Sequence, residues 1–124
     1  MSTLYMLGTE YETHDELVLY ANKLFQEILT FFTDTIEQTG LNDRKMLFYS
    51  GHDTNILALL SIFNLTSFEC IHKNETTKTC IHEVLFASQV ILELEKNLLG
   101  KYFVHVIYNG VEYKICDGQV CTWE

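Results

Sequence analysis

Proline is absent from this chain, and arginine occurs once, as Arg44. Cations of any kind are few, with eight Lys and Arg against 17 Asp and Glu. Without proline there is no proline-rich linker, and no repeat or low-complexity tract marks a domain boundary. The formal net charge of −9 disfavours nucleic acid as a partner, because holding a phosphate backbone needs clustered cations. Long hydrophobic runs are missing too. No apolar stretch approaches the roughly 20 residues of a membrane-spanning helix. The opening segment, Met1 to Gly8, has no basic residues and too short an apolar stretch for a signal peptide.

What is present reads as one unit spanning residues 1–124. Apolar residues make up 48% of the chain and charged residues 20%, a balance that argues against disorder. Thr13 to Glu16 has the form of a capping box ahead of an apolar run. Leu17, Tyr20, Ala21, Leu24, Ile28, Phe31 and Phe32 then recur at helical spacing, which predicts a helix from Leu17 to about Gln38, stopped by Gly40. Val18, Leu19, Phe25, Leu29 and Ile36 widen its apolar stripe, so this helix is expected to be covered on more than one side. Met46-Leu47-Phe48-Tyr49 shows no alternation, the pattern of a strand buried on both faces.

After a polar turn, Ile56 to Phe63 reads as a second helix. Residues 64–82 read as a long polar loop. Residues 87–94 alternate loosely, Tyr102 to Tyr108 is rich in aromatic and β-branched residues, and Asn109-Gly110 is a type I′ signal leading into Val111–Ile115. The aromatic side chains of these strands, with Trp123, are read as packing groups. The expected fold class is α/β, with a buried strand-turn-helix at 46–63 and a late antiparallel hairpin. The doubly buried strand and the broadly apolar helix call for partners that the chain scarcely supplies, so it is expected to be part of a larger domain.

The turn itself, Ser50-Gly51-His52-Asp53-Thr54-Asn55, sets an imidazole beside a carboxyl group at a helix start. Such a turn can be no more than a helix cap with a permissive glycine. It can also be a site. Helix N-termini attract anions through their N–H groups and dipole. His52 then serves as a cationic donor to phosphoryl oxygens, and Asp53 as general acid to a leaving alkoxide. Such a pair works best at acid pH, where the imidazole is charged and the carboxyl group keeps its proton.

Asn64-Leu65-Thr66 and Asn74-Glu75-Thr76 are N-glycosylation sequons, and four cysteines allow two disulfides. Cys70-Ile71-His72 and Cys80-Ile81-His82 repeat a tripeptide, which in principle offers zinc two sulfurs and two nitrogens. A Cys70–Cys80 disulfide is the preferred reading, because Cys-x-His is not the usual spacing of a zinc knuckle. Cys116 and Cys121 can pair with each other, or one of them can pair outside the region.

Residues 46–60 resemble the His-Asp motif segment of the histidine acid phosphatases, the group that includes lysosomal and prostatic acid phosphatases. Phe86-Ala87-Ser88, Ile91-Leu92-Glu93-Leu94 and Tyr102 to Gly110 are similar to that family's late hairpin, and Cys116 and Cys121 to its closing cysteine pair. The resemblance covers most of residues 15–124. It implies that His52 binds phosphate, that Asp53 is the proton donor, and that a small phosphomonoester is split through a phosphohistidine without metal or other cofactor. It also implies a lysosomal or secreted protein.

One departure is decisive. The family's nucleophile lies in an Arg-His-Gly-x-Arg-x-Pro motif, and this chain has no Arg-His-Gly at all. No nucleophile or arginine cradle can be assigned, and His14, His72, His82 and His105 do not supply one by motif. The chain therefore resembles a carboxyl-terminal portion carrying half a site, expected to be inactive by itself on p-nitrophenyl phosphate near pH 5. The alternative is a non-catalytic secreted module of the same fold that binds an anion or a partner chain.

Overall fold

A computed structural model describes residues 14–37, 44–73, 80–116 and 121–123. The first element is a long helix, α1 (His14–Glu37). Helices α2 (Asp53–Ile62) and α3 (Phe68–His72) follow, then strands β1 (Val90–Lys96), β2 (Tyr102–Tyr108), β3 (Val111–Tyr113) and β4 (Cys121–Thr122). The result is the expected mixture of helices and antiparallel sheet. β2 is central: β1 pairs along its whole length, from Val90 opposite Tyr108 to Lys96 opposite Tyr102. β3 and β4 pair with β2 in tandem, at Val106–Tyr108 and Phe103–Val104. Asn109 and Gly110 both take positive φ, 48° and 80°, as the type I′ reading of the β2–β3 turn requires.

The core lies where α2 packs against the sheet. Leu60, Leu65, Ile81, Val106 and Tyr108 form one buried cluster, and Leu57, Ile71 and Cys80 form a second beside it. Val84 packs against both. From Ile56 onward α2 is apolar except at Ser61, and five consecutive residues, Leu57 to Ser61, are buried. Ser61 tolerates this burial because its hydroxyl donates to Leu57 O at 2.9 Å.

Residues 64–67 are more ordered than the loop reading allows. Asn64 takes the left-handed conformation (φ 57°), with Asn64 N–H donating to Ser61 O at 3.1 Å and Leu65 N–H to Leu60 O at 2.9 Å. This is a Schellman C-cap with asparagine in the place usually held by glycine, and Leu65 packs back on Leu60. Thr66 then donates its hydroxyl to Ile81 O at 2.7 Å. Ser67 caps α3 by accepting from Cys70 N–H at 3.1 Å. Cys70–Cys80 and Cys116–Cys121 are both closed disulfides, with Cα separations of 6.1 and 5.7 Å.

Two expectations need correction. Residues 46–50 form no strand, and Met46 (76%) and Phe48 (82%) are exposed. A non-alternating apolar run is buried on both faces only where flanking strands cover it, and the described sheet is built entirely from residues 90–122. α1 is likewise not enclosed. Ala21, Ile28 and Phe32 form one buried stripe, while Leu19 is 73% exposed. α2 meets α1 at Phe25, and Trp123 meets it at Phe32, which leaves the Leu19 side open. The predicted capping box lies partly at Thr13, outside the described residues.

Candidate active site

Backbone geometry places His52 and Asp53 at the junction of the 44–52 segment and α2. His52 is the N-cap, extended at φ −116° and ψ 171°, and Asp53 is the first helical residue. Asn55 N–H and Ile56 N–H bond to His52 O at 3.1 and 3.3 Å, closing the first turn. Asn55 reaches back, its Oδ1 accepting from His52 N–H at 2.8 Å. That satisfies a donor the helix could not satisfy itself. On its other side, Asn55 Nδ2 meets the Tyr20 hydroxyl of α1 at 3.5 Å. The N-cap is thereby tied to the neighbouring helix.

Gly51 has a steric reason. A Cβ at this position would lie 3.0 Å from Asn55 Oδ1 and 3.4 Å from Asn55 Cβ. A side chain here competes with the returning asparagine for the same space. Beneath the turn, Leu57, Ala58 and Leu60 are buried, so a packed helix carries the pair. His52 and Asp53 themselves are exposed. The site faces solvent from a fixed base.

The start of α2 is not entirely open to an anion. Asp53 Oδ1 accepts from Thr54 N–H at 2.9 Å, so the carboxylate itself occupies part of the positive helix end. A ligand phosphate has to share or displace that contact. A cavity of about 230 Å³ lies elsewhere, lined by Phe25, Phe32, Phe63, Leu92 and Trp123 among others. It adjoins Phe63 at the opposite end of α2. Neither His52 nor Asp53 lines it, and its apolar walls do not suit phosphate.

The other sequence candidates are dispersed. Cys70 and Cys80 are joined to each other, which leaves no thiolate for zinc. Among the described residues, no group of three or more His, Cys, Asp or Glu is placed to hold a metal ion. Asn64 is exposed at the helix cap, and Asn74 lies outside the described residues. Cys116 and Cys121 close the loop between β3 and β4. Sequence reasoning missed Asn55, because His-x-x-Asn is not the familiar Ser/Thr-x-x-Glu form of a capping box.

A family model for the histidine phosphatase superfamily (branch 2) matches residues 3–109. The chain belongs to the histidine phosphatase superfamily. This superfamily match spans α1, the His52–Asp53 turn, α2, α3 and the first two strands. No curated protein and no solved structure gives a significant match. Among the described residues, no helix is long and apolar enough to cross a membrane.

Proposed function

We propose that this chain carries the phosphate-binding and proton-donating half of a phosphomonoesterase site, of the kind found in lysosomal and prostatic acid phosphatases. The observation that carries the reading is the His52–Asp53 pair at the N-terminus of α2, in a chain of the histidine phosphatase superfamily. His52, as imidazolium, donates to a phosphoryl oxygen. Asp53 gives its proton to the leaving alkoxide. A protonated Asp53 is a poorer acceptor for Thr54 N–H than the carboxylate, which favours exchange of that contact for the phosphate. Gly51 and Asn55 hold the pair in place.

Attack on phosphorus needs a nucleophile, and no Arg-His-Gly motif occurs in the sequence. Phosphoryl transfer depends on positioning and on neutralising charge, and Arg44 is the only arginine. General acid catalysis contributes about 10²–10⁴-fold, too little to replace both. This chain alone is therefore expected to give no turnover of p-nitrophenyl phosphate near pH 5. Turnover that disappears in Asp53→Ala would refute that. Two disulfides and two sequons support a lysosomal or secreted setting for the protein. The second reading, an anion-binding module without chemistry, is favoured by the same missing motif, and phosphate binding without turnover fits both.

A further inference from the structure

The outer face of the sheet holds a histidine placed between two carboxylates on different strands. His105 lies in the middle of β2 with its side chain 20% exposed. Its Nε2 is 2.9 Å from Glu95 Oε2 on β1, and its Nδ1 is 2.6 Å from Glu112 Oε1 on β3. The register explains the meeting. His105 pairs with Glu93, Glu95 pairs with Phe103, and Glu112 pairs with Ile107. Both partners are thus diagonal neighbours of His105 on one face, a separation that long side chains span.

A neutral imidazole has one N–H and one lone pair. With two carboxylates at hydrogen-bond distance, the neutral ring would turn its lone pair toward one of them. Only the imidazolium donates to both. We infer that His105, Glu95 and Glu112 form a proton-dependent clamp that ties β1, β2 and β3 together in mildly acid solution and gives up one of its two side-chain bonds above it. The clamp does not depend on the reading of the His52–Asp53 site.

The electrostatic surroundings favour the charged ring. Glu93, Glu95 and Glu112 face it from β1 and β3, and Phe103, Ile107, Ile91 and Thr122 complete this face. Lys114, just past β3 and in phase with Glu112, is the nearest cation along that strand. The hydrogen bond to Glu112 is the main cause that holds the imidazole above its ordinary value. Partial burial opposes it, and Glu95 adds to it.

A raised value in the folded state means that the stabilisation is complete below the unfolded imidazole's value, about 6.5. It is lost as pH rises through the raised folded value. At the other end it fades as the carboxylates protonate, near about pH 4. The clamp therefore works best between about pH 4.5 and about 6.5.

The test compares wild-type chain with His105→Gln by thermal unfolding from pH 5 to 8.5, alongside an NMR titration of the His105 ring. The advantage of wild type over His105→Gln should shrink by about 2–6 °C across that range. The His105 midpoint should exceed 6.5, and in Glu112→Gln it should fall toward 6.5. A pH-independent difference, or a His105 midpoint at or below 6.5, overturns the clamp. If His105→Gln fails to fold, the Glu112→Gln titration decides: an unmoved midpoint rejects the proposal.

Discussion

Removing the Cys70–Cys80 disulfide should weaken the support beneath α2 severely. The bond closes a loop with a sequence separation of 10. Loop-closure entropy for a ring of that size is worth about 3 kcal/mol. Packing adds to this. Cys80 is buried with Leu57 and Ile71, and Cys70 packs against the same cluster, so replacing the sulfurs by hydrogen costs a further ~0.5–1.5 kcal/mol. A total near 4 kcal/mol is a large share of the 5–15 kcal/mol expected of a whole domain.

The Cys116–Cys121 ring is shorter, with a separation of 5. By the same relation it contributes about 2 kcal/mol, and neither of its cysteines belongs to the two buried clusters. Urea unfolding of Cys70→Ala/Cys80→Ala and of Cys116→Ala/Cys121→Ala, followed by circular dichroism, reads both costs. The first variant should lose about 3–4.5 kcal/mol and the second about 2. A first variant within 0.5 kcal/mol of wild type, or the reverse ranking, would refute the reasoning. Because the N-cap bonds of His52 are local to residues 52–56, the folded fraction of the first variant should still bind phosphate like wild type.

Asn55→Ala removes the acceptor of the His52 N–H and should cost about 1 kcal/mol in urea unfolding. It should also loosen the turn, seen as faster amide exchange at His52. Gly51→Ala should cost up to about 1 kcal/mol by crowding Asn55 Oδ1, and that cost should vanish on the Asn55→Ala background. Additive losses in the double variant would show that Gly51 matters for another reason.

Much of this architecture can be read from residue patterns. Helical spacing from Leu17 onward marks α1, the β-branched run Tyr102–Tyr108 marks β2, and Asn109-Gly110 fixes the turn after it, because each depends on neighbours in sequence. The disulfide Cys70–Cys80 follows from a short loop between paired cysteines. The proposed His52–Asp53 site is visible because the two residues are consecutive.

What sequence hides is whatever depends on partners. Met46 to Tyr49 has the composition of a buried strand, yet burial is decided by what lies beside it, and the described sheet lies elsewhere. α3 is five residues long, too short to show a period, and only Ser67 hints at it. Asn64 shows as a sequon, while its left-handed cap depends on Ser61 and Leu60. The His105 clamp joins residues seven and ten positions apart, which only the strand register brings to one face.

The central claim is that Ser50 to Asn55 is an anion-facing turn in which His52 holds phosphate and Asp53 stands ready to give a proton. The most direct measurement is a titration of the chain with inorganic phosphate at pH 5, read by the His52 ring and the 51–55 amide resonances, in wild type and in His52→Ala. Saturable shifts confined to this turn, lost in His52→Ala with the rest of the spectrum unchanged, are the predicted result. Phosphate that leaves these resonances unmoved, or that moves them equally in His52→Ala, would contradict the account.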